Sequence, residues 1–178
     1  GQYNETGSQN TYVGYASGLG ASGESHSTNT AVGYFTLKDV TTGGANTVLG
    51  AFAGDAVTTQ DSLTLIGKSA GSAINHNNAN GSVAVGASAL AGCVSGEKNV
   101  SIGFESSLAS TGDNNTVMGH TAFRTADGGE SDNVVIGKKA GYSIDEAGSD
   151  DNVIIGSEAC VGGTGARSQS IAIGYRAW

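Results

Sequence analysis

Five phrases in this 178-residue chain spell motifs with recognisable chemistry. "GLGASG" (Gly18 to Gly23) satisfies G-x-G-x-x-G, whose glycines let backbone approach a pyrophosphate where a strand turns into a helix. "GKSAG" (Gly67 to Gly71) spells a nucleophile elbow around Ser69, and its "GKS" resembles the end of a phosphate loop. The acidic phrases "TGDNN" (111–115), "ESDN" (130–133) and "GSDDN" (148–152) offer carboxylate and amide oxygens of the kind that hold calcium. His26, His76, His120, Cys93 and Cys160 complete the set of side chains able to bind metals or act as nucleophiles.

Each motif depends on the element that carries it, and the chain is organised by a repeat. Ten short aliphatic runs end on a glycine: Gly14, Gly33, Gly50, Gly67, Gly86, Gly103, Gly119, Gly137, Gly156 and Gly174, spaced 16 to 19 residues apart. Aligned on these anchors, position −1 is always aliphatic: Val13, Val32, Leu49, Ile66, Val85, Ile102, Met118, Ile136, Ile155 and Ile173. Position −3 is Thr, Val or Ile throughout, and position −2 is apolar except at Ser101. Position −4 is Asn in seven of ten coils, including Asn29, Asn46 and Asn152, and position +3 is only Ala, Ser or Thr. Such a period marks a solenoid.

β-Branched residues between an Asn and a Gly read as a short strand between two turns. Glycine at Gly33, Gly86, Gly137 and Gly174 fits a corner of positive φ, and Asn29, Asn46 and Asn152 are expected to take similar strain at the other corner. Apolar residues on both strand faces predict that both are covered. The narrow coil interior supplies one cover and accounts for the small residues at +3. The rest of each repeat is Gly, Ser, Thr, Asn and Asp, so the second cover must come from other copies of the chain. The position −1 residues from Val32 to Ile173 are therefore expected to form the coil and trimer core.

The motifs look different on this frame. A helix cannot follow "GLGASG", Ser69 shares its column with Ala16, Phe35 and Glu105, and Ser62 stands where a phosphate loop needs glycine. No pair of carboxylates is placed for sugar hydrolysis, so the chain reads as a non-enzyme. The acidic phrases read first as solvated turns, with a structural Ca2+ as the alternative; the histidines fall in different columns, and no metal site or other cofactor is expected. Tyr15, Tyr34, Phe104 and Tyr175 share position +1 and would line one edge, as corner cover or as a recognition surface.

Composition agrees with a thin rod: thirty glycines, no proline, few aromatics, and a net charge of −8 that disfavours nucleic acid. No apolar run approaches the length of a membrane-spanning helix. Cys93 and Cys160 lie four repeats apart, about 19 Å in a stacked rod, too far to bridge within a chain. The whole of 1–178 reads as a single repeat domain that begins at Gly1, stops in mid-repeat at Trp178 and belongs to a longer fibre. Trp178 is expected to occupy the place of Leu37, Leu90 and Phe123 in earlier coils.

"GSVAVGASA", "KNVSIGFES" and "SQSIAIGYRA" resemble the head repeats of trimeric autotransporter adhesins. "NTAVGYFTLKDVTTGGANTVLGAFAG" is similar to repeats of tailed-bacteriophage tail fibres, and the resemblance runs from Asn10 to Trp178. It implies an all-β, left-handed parallel β-roll or solenoid of about ten coils in a homotrimeric rod. It further implies attachment to a host cell-surface glycan or protein. Reduced thiols favour a virion tail fibre, which assembles in a reducing cytoplasm, over a bacterial adhesin head on the outer-membrane surface. A polysaccharide-cleaving spike is the third reading.

Overall fold

A computed structural model of the chain describes residues 1–76, 79–126, 128–144, 148–161 and 168–177. Each repeat contributes one three-residue strand: β1 (Thr11–Val13), β2 (Thr30–Val32), β3 (Thr47–Leu49), β4 (Thr64–Ile66), β5 (Val83–Val85), β6 (Val100–Ile102), β7 (Thr116–Met118), β8 (Val134–Ile136), β9 (Val153–Ile155) and β10 (Ile171–Ile173). The strands form one parallel sheet in chain order, and no helix occurs among the described residues. Register is strict: Thr30 pairs with Thr47, Ala31 with Val48 and Val32 with Leu49, and the same columns pair at each step. The chain is a β-solenoid, one coil per repeat, rising about 4.8 Å per coil.

Strand alternation sends the middle residue of each strand inward. Ala31, Val48, Leu65, Ala84, Ser101, Val117, Val135, Ile154 and Ala172 are buried. The +3 column (Ser17, Thr36, Ala53, Ala70, Ala89, Ser106, Ala122, Ala140, Ala159) is buried as well, as its small side chains required. The interior is completed by the +4 and +7 columns, which hold Leu37, Leu90 and Phe123, and Val40, Val57, Ile74, Cys93 and Ile144. Trp178, expected in the +4 column, lies outside the described residues.

This geometry corrects the assignment of the position −1 residues to the coil core. Val32, Leu49, Ile66, Val85, Ile102, Met118, Ile136, Ile155 and Ile173 point away from the coil interior together with the −3 column. Leu49, Met118 and Ile173 are 48%, 46% and 64% exposed. The reason is period two: with −2 inside, −1 and −3 must be outside.

The anchor glycines do turn the corner with positive φ, from 126° at Gly14 to 149° at Gly33. A β-carbon at Gly86 would also press on the backbone of Gly103 in the next coil, so two independent constraints exclude larger residues. The Asn column behaves differently from expectation. At that corner the left-handed residue is the one before it, at φ 61° for Thr28, 56° for Ala45 and 59° for Asp151, while Asn29, Asn46 and Asn152 are buried inside the coil. Their amides build a ladder up the rod. Asn46 N–H donates to Asn29 Oδ1 (3.0 Å), Leu63 N–H to Asn46 Oδ1 (2.9 Å), and Asn29 Nδ2 to Gly43 O (2.8 Å). Asn133 repeats the pattern by accepting from Asn152 N–H (3.0 Å). A short amide at this place satisfies backbone groups of the adjoining coil that the three-residue strands cannot reach.

Left-handed backbone also recurs at +2 and +4, where it falls on large residues: Phe35 (φ 53°), Leu37 (φ 48°), Leu90 (φ 51°) and Phe123 (φ 51°). Each such residue costs roughly 1–2 kcal/mol. The compensation is hydrogen bonding in both directions along the rod. Phe35 N–H donates back to Tyr15 O (2.9 Å), and Leu37 N–H donates forward to Ala53 O (3.2 Å). Alternating handedness is what turns successive N–H groups toward opposite neighbours.

Candidate interaction surfaces

The outward sheet face is the most extensive unusual surface. Two side chains per strand, at −3 and −1, project from all ten strands, giving a Thr/Val/Ile column beside a Val/Ile/Leu/Met column. Parallel sheets are ordinarily covered on both sides, and here the described chain supplies one cover only. Ile171 is 73% exposed while its neighbour Ala172 is buried, which shows how completely the alternation separates the two faces.

Two ridges border this face. Positions −6 and −5 form one, and its polar side chains brace the turn below. Asp61 Oδ1 accepts from Gly44 N–H (2.6 Å), Asp113 Oδ1 from Glu97 N–H (2.9 Å) and Asp150 Oδ1 from Ser131 N–H (2.8 Å). This ladder runs opposite to the Asn ladder, because here each side chain serves the preceding coil. The acidic phrases thus supply turn-bracing acceptors, and among the described residues no group of three or more His, Cys, Asp and Glu side chains comes together.

The second ridge, at +1 and +2, begins as a ring cluster. Tyr15 and Tyr34 stack (centroids 5.5 Å, planes 18° apart), Phe35 and Phe52 stack (5.9 Å, 22°), and Tyr34 meets Phe35 edge to face at 4.4 Å. Lys38 Nζ lies 5.9 Å from the Phe35 ring and 3.2 Å from Asp39. The +1 ladder is broken, as its sequence required. Phe104 stacks on His120 (5.3 Å), and Tyr175 carries the Arg176 guanidinium at 5.0 Å. Farther along, the ridge turns ionic: Arg124 Nε donates to Glu105 (2.8 Å) and Arg176 Nε to Glu158 (2.7 Å). Sequence reading placed the +1 rings but missed Phe35 and Phe52 at +2, whose signal was their adjacency to that column.

The remaining chemical motifs resolve into coil positions. Gly18 is a +4 residue whose N–H donates to Thr36 O (2.9 Å), and Ser69 is a +2 corner residue (φ 56°) whose N–H donates to Ala51 O (2.9 Å). His26 is buried, and its Nδ1 lies 2.7 Å from Tyr12 Oη. Burial lowers the His26 pKa and pushes Tyr12 up to about 12. Cys93 and Cys160 are both buried thiols, and burial pushes Cys93 up to about 11.

One coil departs from the rest. In coil 6 the inward positions are Ser101, Ser106, Ser107 and Ser110, all buried. Ser101 Oγ lies 2.6 Å from Ser106 Oγ, and Ser106 Oγ donates to Gly103 O (3.0 Å), whereas the Ser107 and Ser110 hydroxyls are buried without a partner.

In comparison with known proteins, no family model matches the chain, and no curated protein or solved structure matches it either. The class rests on the fold itself: a parallel β-solenoid whose outer sheet face is covered by no other segment among the described residues.

Proposed function

We propose that this chain is a segment of a homotrimeric tail fibre of a tailed bacteriophage, serving host cell-surface attachment as a rigid spacer or as the receptor-binding part. The observation that carries the reading is the apolar outer face of the sheet, continuous over ten strands, with Leu49, Met118 and Ile173 about half exposed or more. Apolar surface of this extent, which no segment among the described residues covers, calls for other copies. The similarity of "NTAVGYFTLKDVTTGGANTVLGAFAG" to fibre repeats directs the choice of assembly and role.

The burial of Cys93 and Cys160 keeps a second reading in play. Buried thiols tolerate an oxidising compartment better than exposed ones, the more so at Cys93, whose raised pKa leaves little thiolate, and this suits the head of a bacterial trimeric adhesin. Attachment is tested by adsorbing the purified, labelled assembly to bacterial and animal cells and to a glycan array. Saturable binding to bacterial surface glycans supports the fibre reading, and binding confined to animal cells or matrix supports the adhesin. Silence on every surface leaves the spacer role and removes the receptor-binding one.

A further inference from the structure

The chain carries a net charge of −8, yet its cations gather on one strip. Positions +1 to +5 of coils 7 to 10 hold Arg124, Lys138, Lys139 and Arg176 against a single carboxylate, Glu158, so half of the chain's eight Lys and Arg lie there. At the same heights the −6 and −5 ridge is acidic, as at Asp132 and Asp151, so the two borders of the sheet are oppositely charged. Arg124, at +5, lies beyond the inward +3 and +4 columns, and the strip therefore runs from the corner onto the flank away from the strands.

Contacts within the chain position these cations without neutralising them all. Arg124 Nε donates to Glu105 (2.8 Å), and Arg124 Nη1 lies 3.5 Å from Tyr142 Oη. The Tyr142 ring draws two cations to itself, with the Arg124 guanidinium 6.0 Å and Lys139 Nζ 5.9 Å from its centroid. Arg176 Nε donates to Glu158 (2.7 Å), and this bond, with Lys139 and Lys138 nearby, lowers the Glu158 pKa and keeps the carboxylate ionised. Lys138 and Lys139 are exposed and form no ion pair among the described residues. Like charges held this close repel one another, and an anion laid between them relieves the repulsion.

Shape and charge density select the partner. From coil 7 to coil 10 the cations span three coil spacings, about 14 Å along the rod, so a linear polymer laid on the strip meets them in turn while a small anion touches one group. The overall negative charge and the acidic ridge oppose a densely charged polymer such as nucleic acid, which favours one with sparse charges and neutral polar groups between them. A polysaccharide with carboxylates on its sugar rings has this chemistry, and both guanidiniums of the strip already bind carboxylates through Nε. We propose that the strip of Arg124, Lys138, Lys139 and Arg176, beside Tyr142, is a docking site for an acidic, uronate-bearing polysaccharide. This inference rests on the surface attachment proposed above and adds the class of receptor and the residues that recognise it.

The test titrates the full chain with polygalacturonate at low salt by biolayer interferometry, with the methyl ester of that polymer as the uncharged counterpart and duplex DNA as the densely charged one. Saturable binding to polygalacturonate is expected, absent with the methyl ester and weaker with DNA. K138Q/K139Q should weaken it about tenfold, whereas K68Q, which removes an exposed lysine from the +1 column of coil 4, should leave it unchanged. Gln fits the backbone at Lys139 (φ 57°), since Glu105 takes φ 48° at the same place in coil 6. Circular dichroism unchanged from the parent separates binding from folding. No loss with K138Q/K139Q, or an equal loss with K68Q, would overturn the site. No binding of polygalacturonate, equal binding of its methyl ester, or tighter binding of DNA would overturn the polymer class. Adsorption to whole cells separates this inference from the attachment beneath it: a K138Q/K139Q chain that adsorbs as well as the parent overturns the strip and leaves attachment standing, and a parent silent on every surface removes both.

Discussion

Coils 2 to 5 and coils 7 to 9 are filled with hydrocarbon, and coil 6 between them is filled with serine. The first block packs Leu37, Val48, Leu63, Leu65, Ile74 and Leu90 into one cluster, and the second packs Val117, Phe123, Val135, Ile144 and Ile154 into another. Backbone pairing ignores the division, since β5, β6 and β7 continue the sheet in the same register. The contrast separates two sources of order in a solenoid. Corner glycines, left-handed residues and polar ladders fix the coil path everywhere, while side-chain burial stabilises it unevenly. Stability in such a stack is a sum of coil and neighbour terms, so the serine layer is a local minimum in a continuous rod.

The largest expected difference comes from truncation on either side of the layer. Ile154→Ala removes a fully buried side chain from the second block and is expected to cost about 2–4 kcal/mol by urea denaturation, whereas Ser101→Ala should cost less than about 1 kcal/mol. Equal losses would mean that the blocks do not differ as their packing indicates. Next in size and opposite in sign are Ser107→Ala and Ser110→Ala. Each deletes a buried hydroxyl that has no partner and should stabilise the chain by about 1 kcal/mol.

How far these blocks were visible beforehand depends on the residue. All ten strands, the glycine corners and the cramped +3 column followed from column chemistry, because a Gly/Ala/Ser-restricted place leaves a clear mark. Ser101 stands out as the one polar residue at −2, but Ser106 lies in a column that tolerates serine, Ser107 in the column of Leu37, Leu90 and Phe123, whose facing the sequence does not show, and Ser110 in a column with no sequence pattern, so the layer as a whole stays hidden. The columns of Phe35 and Leu37 are visible in sequence but their left-handed backbone is not, since propensity argues against bulky residues at positive φ and only inter-coil hydrogen bonding offsets the cost. The Asn column was seen but given the wrong task. Asn favours both left-handed corners and ladder hydrogen bonds, and sequence alone does not distinguish them.

Hydrogen exchange sharpens the comparison at smaller energies. Amides bonded across coil 6, such as Ser107 N–H to Ala122 O (2.9 Å), should exchange faster than their equivalents Gly71 N–H to Ala89 O (2.9 Å) and Phe123 N–H to Ala140 O (2.9 Å). Uniform protection along the rod would show that the layer is not a weak point. The smallest effect concerns pH at the N-terminal end. Burial holds the folded pKa of His26 below its unfolded value of about 6.5, so the folded chain binds fewer protons than the unfolded one below that pH. The stability tied to neutral His26 is full above about pH 6.5 and is lost as pH falls below it. His26→Gln should flatten that part of the thermal-stability profile, and an unchanged slope would assign it to other groups.

The account turns on the apolar face being covered by copies of the same chain, and the mass of the purified protein in solution tests this most directly. At micromolar concentration, sedimentation velocity with mass photometry should give three times the 17.6 kDa chain mass in an elongated particle. A stable, well-folded particle of one chain mass, with its outer sheet face open to solvent, would contradict it.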